Sequence, residues 1–248
     1  MHPEIISIGG FTLYSYGLAL AVSMAAGVWV SARRAVRFGF VSDDMFDAAM
    51  PVVVSGLLGA KILFIATNWS EYSSNPWLIL ASIRGGFVYY GSLFGGVAGA
   101  IAWLMWKKYR ILPFADAVAP GIALGQAIGR LGCFLNGCCY GGPVSWGVAF
   151  PSLGDHIPRH PVQVYESIGT LILALGLARM GNKGRGGRVI GMYLLGYGIL
   201  RFLLEMMRVD PRGPVLPAGL SVSQAISLAG ILIGSILILR GSGTAAKE

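Results

Sequence analysis

Residues 48–66 read AAMPVVVSGLLGAKILFIA, an apolar run that carries one charge, Lys61. A helix crossing the hydrocarbon core of a bilayer needs roughly 20 apolar residues, and a run of this length fits that requirement. Six more runs of the same kind follow the chain: Gly17 to Val30, Phe87 to Trp106, Phe114 to Phe134, Val162 to Leu177, Val189 to Met207 and Leu220 to Leu239. Together they fill most of the 248 residues and leave no room for a separate soluble domain. Composition agrees, because 12% of the residues are charged, where soluble domains carry about 25%. The expected fold is an all-α integral membrane bundle of about seven transmembrane helices. It occupies residues 1–240, with external segments near 67–86 and 137–161 and a cytoplasmic tail at 241–248.

The net charge of +8 raises the question of a polyanionic partner, and the placement of the charges answers it. With seven spans and an external N-terminus, one set of loops holds Arg33, Arg34, Arg37, Lys107, Lys108, Arg110, Arg179, Lys183, Arg185, Arg188, Arg240 and Lys247. The opposite face holds Arg84, Arg159, Arg208 and Arg212. Twelve against four is the positive-inside bias, which predicts a periplasmic N-terminus and a cytoplasmic C-terminus. The basic excess then serves orientation and anionic lipid headgroups, not nucleic acid. Residues 1–10 lack a basic n-region, so the first span is expected to stay as a helix.

Gly91, Gly95 and Gly99 repeat every four residues, as do Gly121, Gly125 and Gly129. This spacing lets helix backbones approach closely inside a bilayer, so helix packing is the favoured reading.

Ionisable groups within spans are costly unless paired or facing water, which makes them functional candidates. Tyr197, Arg201, Glu205 and Arg208 fall at i, i+4, i+8 and i+11, on one helical stripe. Two arginines around one carboxylate leave surplus positive charge, and a guanidinium grips phosphate with two hydrogen bonds. Arg130 lies within Gly129-Arg-Leu-Gly-Cys-Phe-Leu-Asn-Gly-Cys-Cys-Tyr-Gly-Gly142, whose glycines permit a broken helix end and whose Asn136 adds donors. It is read as a second phosphate contact. His160-Pro-Val-Gln-Val-Tyr-Glu-Ser167 opens the fifth span and adds Gln163, Tyr165 and Glu166 at the same outer level. Lys61 and Asp116 receive no role.

Cys133, Cys138 and Cys139 share one short window. The CxxxxCC spacing without a nearby histidine falls short of four metal ligands, so no metal is expected. Small packing residues come first, an external disulfide from Cys133 to Cys138 or Cys139 second, and thiol redox chemistry third.

These motifs together resemble one family, the bacterial prolipoprotein diacylglyceryl transferases. The segment from Gly129 to Gly141 looks like the family signature around its lipid-binding arginine. Tyr16-Gly17-Leu18 is similar to a tyrosine-glycine element, and Gly85-Gly-Phe-Val-Tyr-Tyr90-Gly91 aligns with a histidine-glycine-glycine segment. His160 to Glu166 and Tyr197 to Arg208 complete the set in order. The family histidine is Tyr90 here, a signature asparagine is Cys133 and a signature glutamate is Cys138.

The resemblance implies an enzyme of the bacterial inner membrane, with its active site toward the periplasm. It would move the diacylglyceryl group of phosphatidylglycerol to the lipobox cysteine of a prolipoprotein signal peptide. A thioether forms and glycerol phosphate leaves, without metal or organic cofactor. Arg130 and Arg201 would contact phosphate, and Glu205 would orient Arg201. Tyr16, Asn136 and Tyr197 would position headgroup or peptide. Gly91, Gly141, Glu166, His160 and Arg208 join them as substrate-binding residues. The thiol's proton acceptor stays open among Tyr90, His160 and water. Two other classes remain on the sequence: a lipid transporter built on Gly-broken helices, and a thiol oxidoreductase using Cys133, Cys138 and Cys139.

Overall fold

A computed structural model describes residues 3–9, 11–75, 77, 79, 86–181, 186–209, 216 and 219–242. Arg84, Gly85, Lys183, Arg185, Arg212 and the tail from 243 onward lie outside the described residues. The elements run β1 (Glu4–Ile8), β2 (Phe11–Tyr14), α1 (Ser15–Ala35), α2 (Asp43–Thr67), α3 (Trp69–Ser74), α4 (Tyr89–Trp106), α5 (Ile111–Asn136), β3 (Pro143–Val148), α6 (Val162–Arg179), α7 (Arg188–Glu205) and α8 (Val222–Ser242).

Each apolar run forms a helix over most of its length. Among the described residues, four helices are long and apolar enough to cross a membrane: Ser15–Phe38, Asp43–Thr67, Ile111–Asn136 and Val222–Arg240. Their burial is inverted relative to a soluble core. On α2, Gly56 and Ala60 are buried, while Leu57, Leu58 and Ile62 are exposed. A soluble monomer rarely shows apolar faces of that extent, so these helices need a non-aqueous solvent around them.

The chain folds as two compact units, Val41–Ile111 on one hand and Met1–Phe40 with Leu112–Glu248 on the other. In the first unit α2 packs on α4 through the predicted glycine series. A Cβ on Gly91 or Gly95 would meet the carbonyl oxygen of Gly59 or Ser55, and one on Gly99 would meet the Ser55 side chain. Lys61, unassigned from the sequence, lies over the Phe64 and Phe87 rings at 5.3 and 5.8 Å. Asp44 accepts a hydrogen bond from Tyr109 at 2.9 Å.

In the second unit the other series joins α5 to α1: Gly121 abuts Gly27, Gly125 abuts Ser23, and a Cβ on Gly129 would lie 4.0 Å from Ser23 Oγ, while Gly132, off that spacing, abuts Ala19 and Tyr16. Both series are therefore packing surfaces. Phe38, Ala117, Ala123, Ala174, Leu177 and Val189 form the buried apolar core. Asp116 accepts hydrogen bonds from the backbone N–H groups of Gly187 (2.7 Å) and Ile190 (2.8 Å), so a buried carboxylate caps the N-terminus of α7. Arg34 does the converse. Its guanidinium donates to the carbonyls of Ala178 (2.6 Å) and Met180 (2.9 Å) at the end of α6. One of the twelve basic loop residues is thus a buried C-terminal cap.

Some expectations change. An antiparallel β1–β2 hairpin precedes α1, which the all-α reading did not include. The segment near 137–161, expected to be external, contains β3, bridged to Arg159. Helix α5 also continues unbroken through Gly129 and Gly132 to Asn136, so Arg130 sits on a regular helix. The break comes at Gly137, whose φ of 76° places it in the left-handed region.

Candidate active site

Helix α5 presents Arg130 toward α6. Its guanidinium pairs with Glu166 Oε1 at 2.9 Å, and the Glu166 side chain is 1% exposed. The same oxygen accepts a hydrogen bond from the Tyr197 hydroxyl on α7, also 2.9 Å. Tyr197 stacks on Tyr193, with ring planes 2° apart. Tyr193 donates to Gln126, one turn before Arg130 on α5. Three helices are thus tied by one polar circuit: Arg130, Glu166, Tyr197, Tyr193 and Gln126. Ser167 adds a buried bond from α6 to the Ala127 carbonyl at 2.8 Å.

One turn beyond Tyr197, Arg201 pairs with Glu205 at 2.7 Å, as the spacing predicts. The Arg201 nitrogen Nη2 also donates to Ser223 Oγ at 3.2 Å. Glu205 accepts from Ser221 Oγ at 2.8 Å. Ser221 and Gln224 satisfy each other's backbone N–H groups at the start of α8, a capping box. The Ser-x-x-Gln spacing was a legible helix start, but nothing in it pointed to Arg201. Among the described residues, Arg201 keeps Nη1 buried without a hydrogen-bond partner, and Glu166 keeps Oε2 likewise.

The helical stripe is shorter than predicted. Helix α7 ends at Glu205, so Arg208 lies past the helix and bridges Gly141 instead. The segment after α5 is fastened on both sides. Gly141 N–H donates to the His160 carbonyl (2.9 Å), Gly142 N–H to the Met207 carbonyl (2.9 Å), and His160 N–H to the Gly142 carbonyl (3.0 Å). Gly141 has no room for a side chain, since a Cβ would press on His160, Val162 and the Met207 carbonyl. Gln163 donates to the Cys138 carbonyl. The His160 ring lies edge-on to Trp146 at 5.1 Å, with Nδ1 3.4 Å from the Tyr165 hydroxyl.

All three cysteines are free. Their sulfurs lie within 4.8 Å of one another. The Cys139 thiol is held below the usual thiol value by hydrogen bonds from the Cys133 and Cys138 thiols and then by the charges of Arg208 and Arg130. Asn136 reaches the Cys138 thiol, and Tyr16 feels all three thiols and Arg130. Arg159 pairs with Asp155 at 2.7 Å and holds that carboxyl below its usual range.

The structure therefore gathers Tyr16, Arg130, Asn136, Gly141, His160, Glu166, Tyr197, Arg201, Glu205 and Arg208 in one unit. Tyr90 and Gly91 open α4 in the other unit, where Tyr90 packs edge-on to Tyr89 and Gly91 serves helix packing. Two clefts, of 230 and 340 Å³, lie away from Arg130 and Arg201. One is lined by Trp29, Arg33, Arg34 and Arg37, the other by Pro143 to Ser145 with Ile157 and Pro158.

The chain is 40% identical over 237 residues to phosphatidylglycerol–prolipoprotein diacylglyceryl transferase 2 of Clostridium perfringens, covering 93% of this chain and 91% of that one. It is 38% identical over 240 residues to the Clostridium tetani transferase, covering 94% and 95%. The Polynucleobacter asymbioticus transferase is 36% identical over 255 residues, covering 97% and 96%. Residues 3–240 match the family described as prolipoprotein diacylglyceryl transferase, and the chain belongs to that family.

Proposed function

We propose that this chain transfers the diacylglyceryl group of phosphatidylglycerol to the lipobox cysteine of a prolipoprotein, the first step of lipoprotein maturation. The names of its relatives support both substrates. The thiolate sulfur forms a bond to the glycerol carbon while that carbon's bond to the phosphate oxygen breaks, and glycerol phosphate leaves with the electron pair. One observation carries the chemical reading: the Arg201 Nη1 donor, buried and without a partner among the described residues, on a guanidinium held in place by Glu205 and Ser223. A preorganised donor of this kind stabilises charge that develops on the departing phosphate. Arg130 holds the headgroup from α5, oriented by Glu166. Tyr16, Asn136, Gly141, Tyr197, His160 and Arg208 line the approach of headgroup and peptide. Tyr90 stays a proposed participant through the sequence match at its segment.

In the same reading residues 1–240 form the membrane part, crossing the inner membrane seven times from a periplasmic N-terminus, with external segments near 67–86 and 137–161 and a cytoplasmic tail at 241–248. The twelve-to-four distribution of basic residues supports the orientation. An 18-residue helix such as α4, α6 or α7 spans about 27 Å, close to the hydrocarbon thickness of about 30 Å.

The deciding experiment incubates the purified protein with phosphatidylglycerol and a lipobox peptide and seeks the diacylglyceryl adduct by mass spectrometry. The adduct is expected. It should fall about a hundredfold in kcat for Arg201→Lys, which keeps the charge but removes the Nη1 fork. Absence of adduct beside an active relative would overturn the substrate assignment.

A further inference from the structure

The three thiols stand apart from the hydrogen-bonded circuit. Cys133 sits on the last turn of α5, while Cys138 and Cys139 follow the left-handed turn at Gly137. Cys139 itself adopts φ of 68°, a conformation rare for a residue with a side chain. That backbone brings the third sulfur back toward the other two, and all three lie within 4.8 Å of one another. Three sulfurs each bound about 2.3 Å from one ion would stand roughly 3.8–4.0 Å apart. The observed separations exceed that spacing by no more than about 1 Å. Sequence spacing could not reveal this, because it counts ligands along the chain and not the turn that gathers them.

We propose that Cys133, Cys138 and Cys139 form a three-thiolate site for a soft, thiophilic metal ion of the zinc, cadmium or copper(I) class. Thiolates select these ions over hard, oxygen-seeking cations. Binding releases to solvent whatever protons the three thiols still hold and forms three metal–sulfur bonds, with no change of oxidation state. A divalent ion with three thiolates leaves one net negative charge. Arg130 and Arg208 both act electrostatically on this cluster and would offset that charge. The ion would also join the end of α5 to the segment fastened to His160 and Met207, so its occupancy would stiffen the surroundings of Arg130.

One consequence rests on the transferase reading. An anionic metal–trithiolate beside Arg130 competes electrostatically with a phosphate headgroup, so loading the site should raise the KM for phosphatidylglycerol more than it lowers kcat.

The test uses the full-length protein in lipid nanodiscs, prepared without oxygen and freed of small thiols. Cadmium chloride is titrated in while the ultraviolet thiolate-to-cadmium charge-transfer band is recorded and bound cadmium is counted by elemental mass spectrometry. One ion per chain is expected. Cys133→Ser, Cys138→Ser and Cys139→Ser should each weaken binding at least about tenfold, as loss of one of three ligands requires. In the wild-type chain, zinc chloride should protect the same three cysteines from alkylation, a readout that needs no variant. Absence of the band, cadmium binding indifferent to the three substitutions, or a disulfide between any two of these cysteines in the anaerobically purified chain would each overturn the site. The transferase reading stands or falls separately, on adduct formation by the metal-free enzyme.

Discussion

Replacing Glu166 separates its two duties, charge partner and shape. Its Oε1 meets Arg130 and Tyr197 at 2.9 Å each, and its Oε2 has no partner among the described residues. In Glu166→Gln the amide oxygen can take the place of Oε1 and keep both bonds, with the amide nitrogen in the position of Oε2. What is lost is the ionic component of the Arg130 bond, worth about 1–2 kcal/mol as the difference between charged and neutral hydrogen bonds. Glu166→Ala removes both bonds and leaves the guanidinium without its carboxylate. Breaking a buried pair from one side costs about 3–5 kcal/mol. Reversible unfolding in mixed detergent micelles should therefore rank the variants wild type, Gln, Ala with those gaps. Adding Arg130→Met to Glu166→Ala should recover much of the stability, because no unpaired charge remains, and should recover none of the transferase activity. Equal stability of the Gln and Ala variants would refute the pairing argument. Wild-type turnover in Glu166→Ala would refute the claim that this carboxylate positions Arg130.

Gly91→Ala places a methyl group against the Gly59 carbonyl and should destabilise the protein by about 1–3 kcal/mol in the same assay. Gly17→Ala on α1, with nothing within 4 Å of its Cβ, should instead be neutral or stabilising by up to about 1 kcal/mol. Asp116→Ala removes two charged bonds to the start of α7 and should cost about 3 kcal/mol, with Asp116→Asn intermediate. The Asp155 carboxyl is held below its usual range, first by the hydrogen bond from Arg159, so the folded state favours its ionised form. Whatever stability the pair adds is present above about pH 4 and fades as pH falls through the depressed folded value. The difference between wild type and Arg159→Met should be constant at neutral pH and shrink in acid, and a difference that grew in acid would reverse the assignment.

The helices were legible because bilayer solvation imposes a length and a composition that few other constraints imitate. The glycine ladders at 91–99 and 121–129 were legible for a related reason, since close backbone approach leaves a four-residue signature. The Arg201–Glu205 pair could be read from helical spacing alone. The partner of Arg130 could not, because Glu166 lies on another helix and its position near a helix start already had a local explanation. Asp116 and Arg34 show the same limit. Each satisfies backbone groups at the end of a helix distant in sequence, and a cap supplied from outside its own helix leaves no pattern along the chain. The stripe ran too far at Arg208 because periodicity carries no information about where Met206 and Met207 turn away.

The pairing of both arginines bears directly on how an anionic headgroup can be held. Arg130 with Glu166, and Arg201 with Glu205, are each close to neutral, so the surplus charge expected around Arg201 is largely cancelled. Tight ground-state binding of a phosphodiester is then not what the arrangement favours. A phosphodiester carries one negative charge, whereas the departing monoester approaches two, and the additional charge appears only as the carbon–oxygen bond breaks. The Arg201 Nη1 donor is free of its carboxylate and can meet that charge without any pair being broken. Interactions that strengthen only as the reaction proceeds raise kcat instead of merely lowering KM. Under the proposed function, a neutral pair with one donor left over is therefore better suited to release of the phosphate than to its capture, and capture would fall to the more exposed Arg130 (side chain 21% exposed against 10% for Arg201), Arg208 and the polar groups at the end of α5.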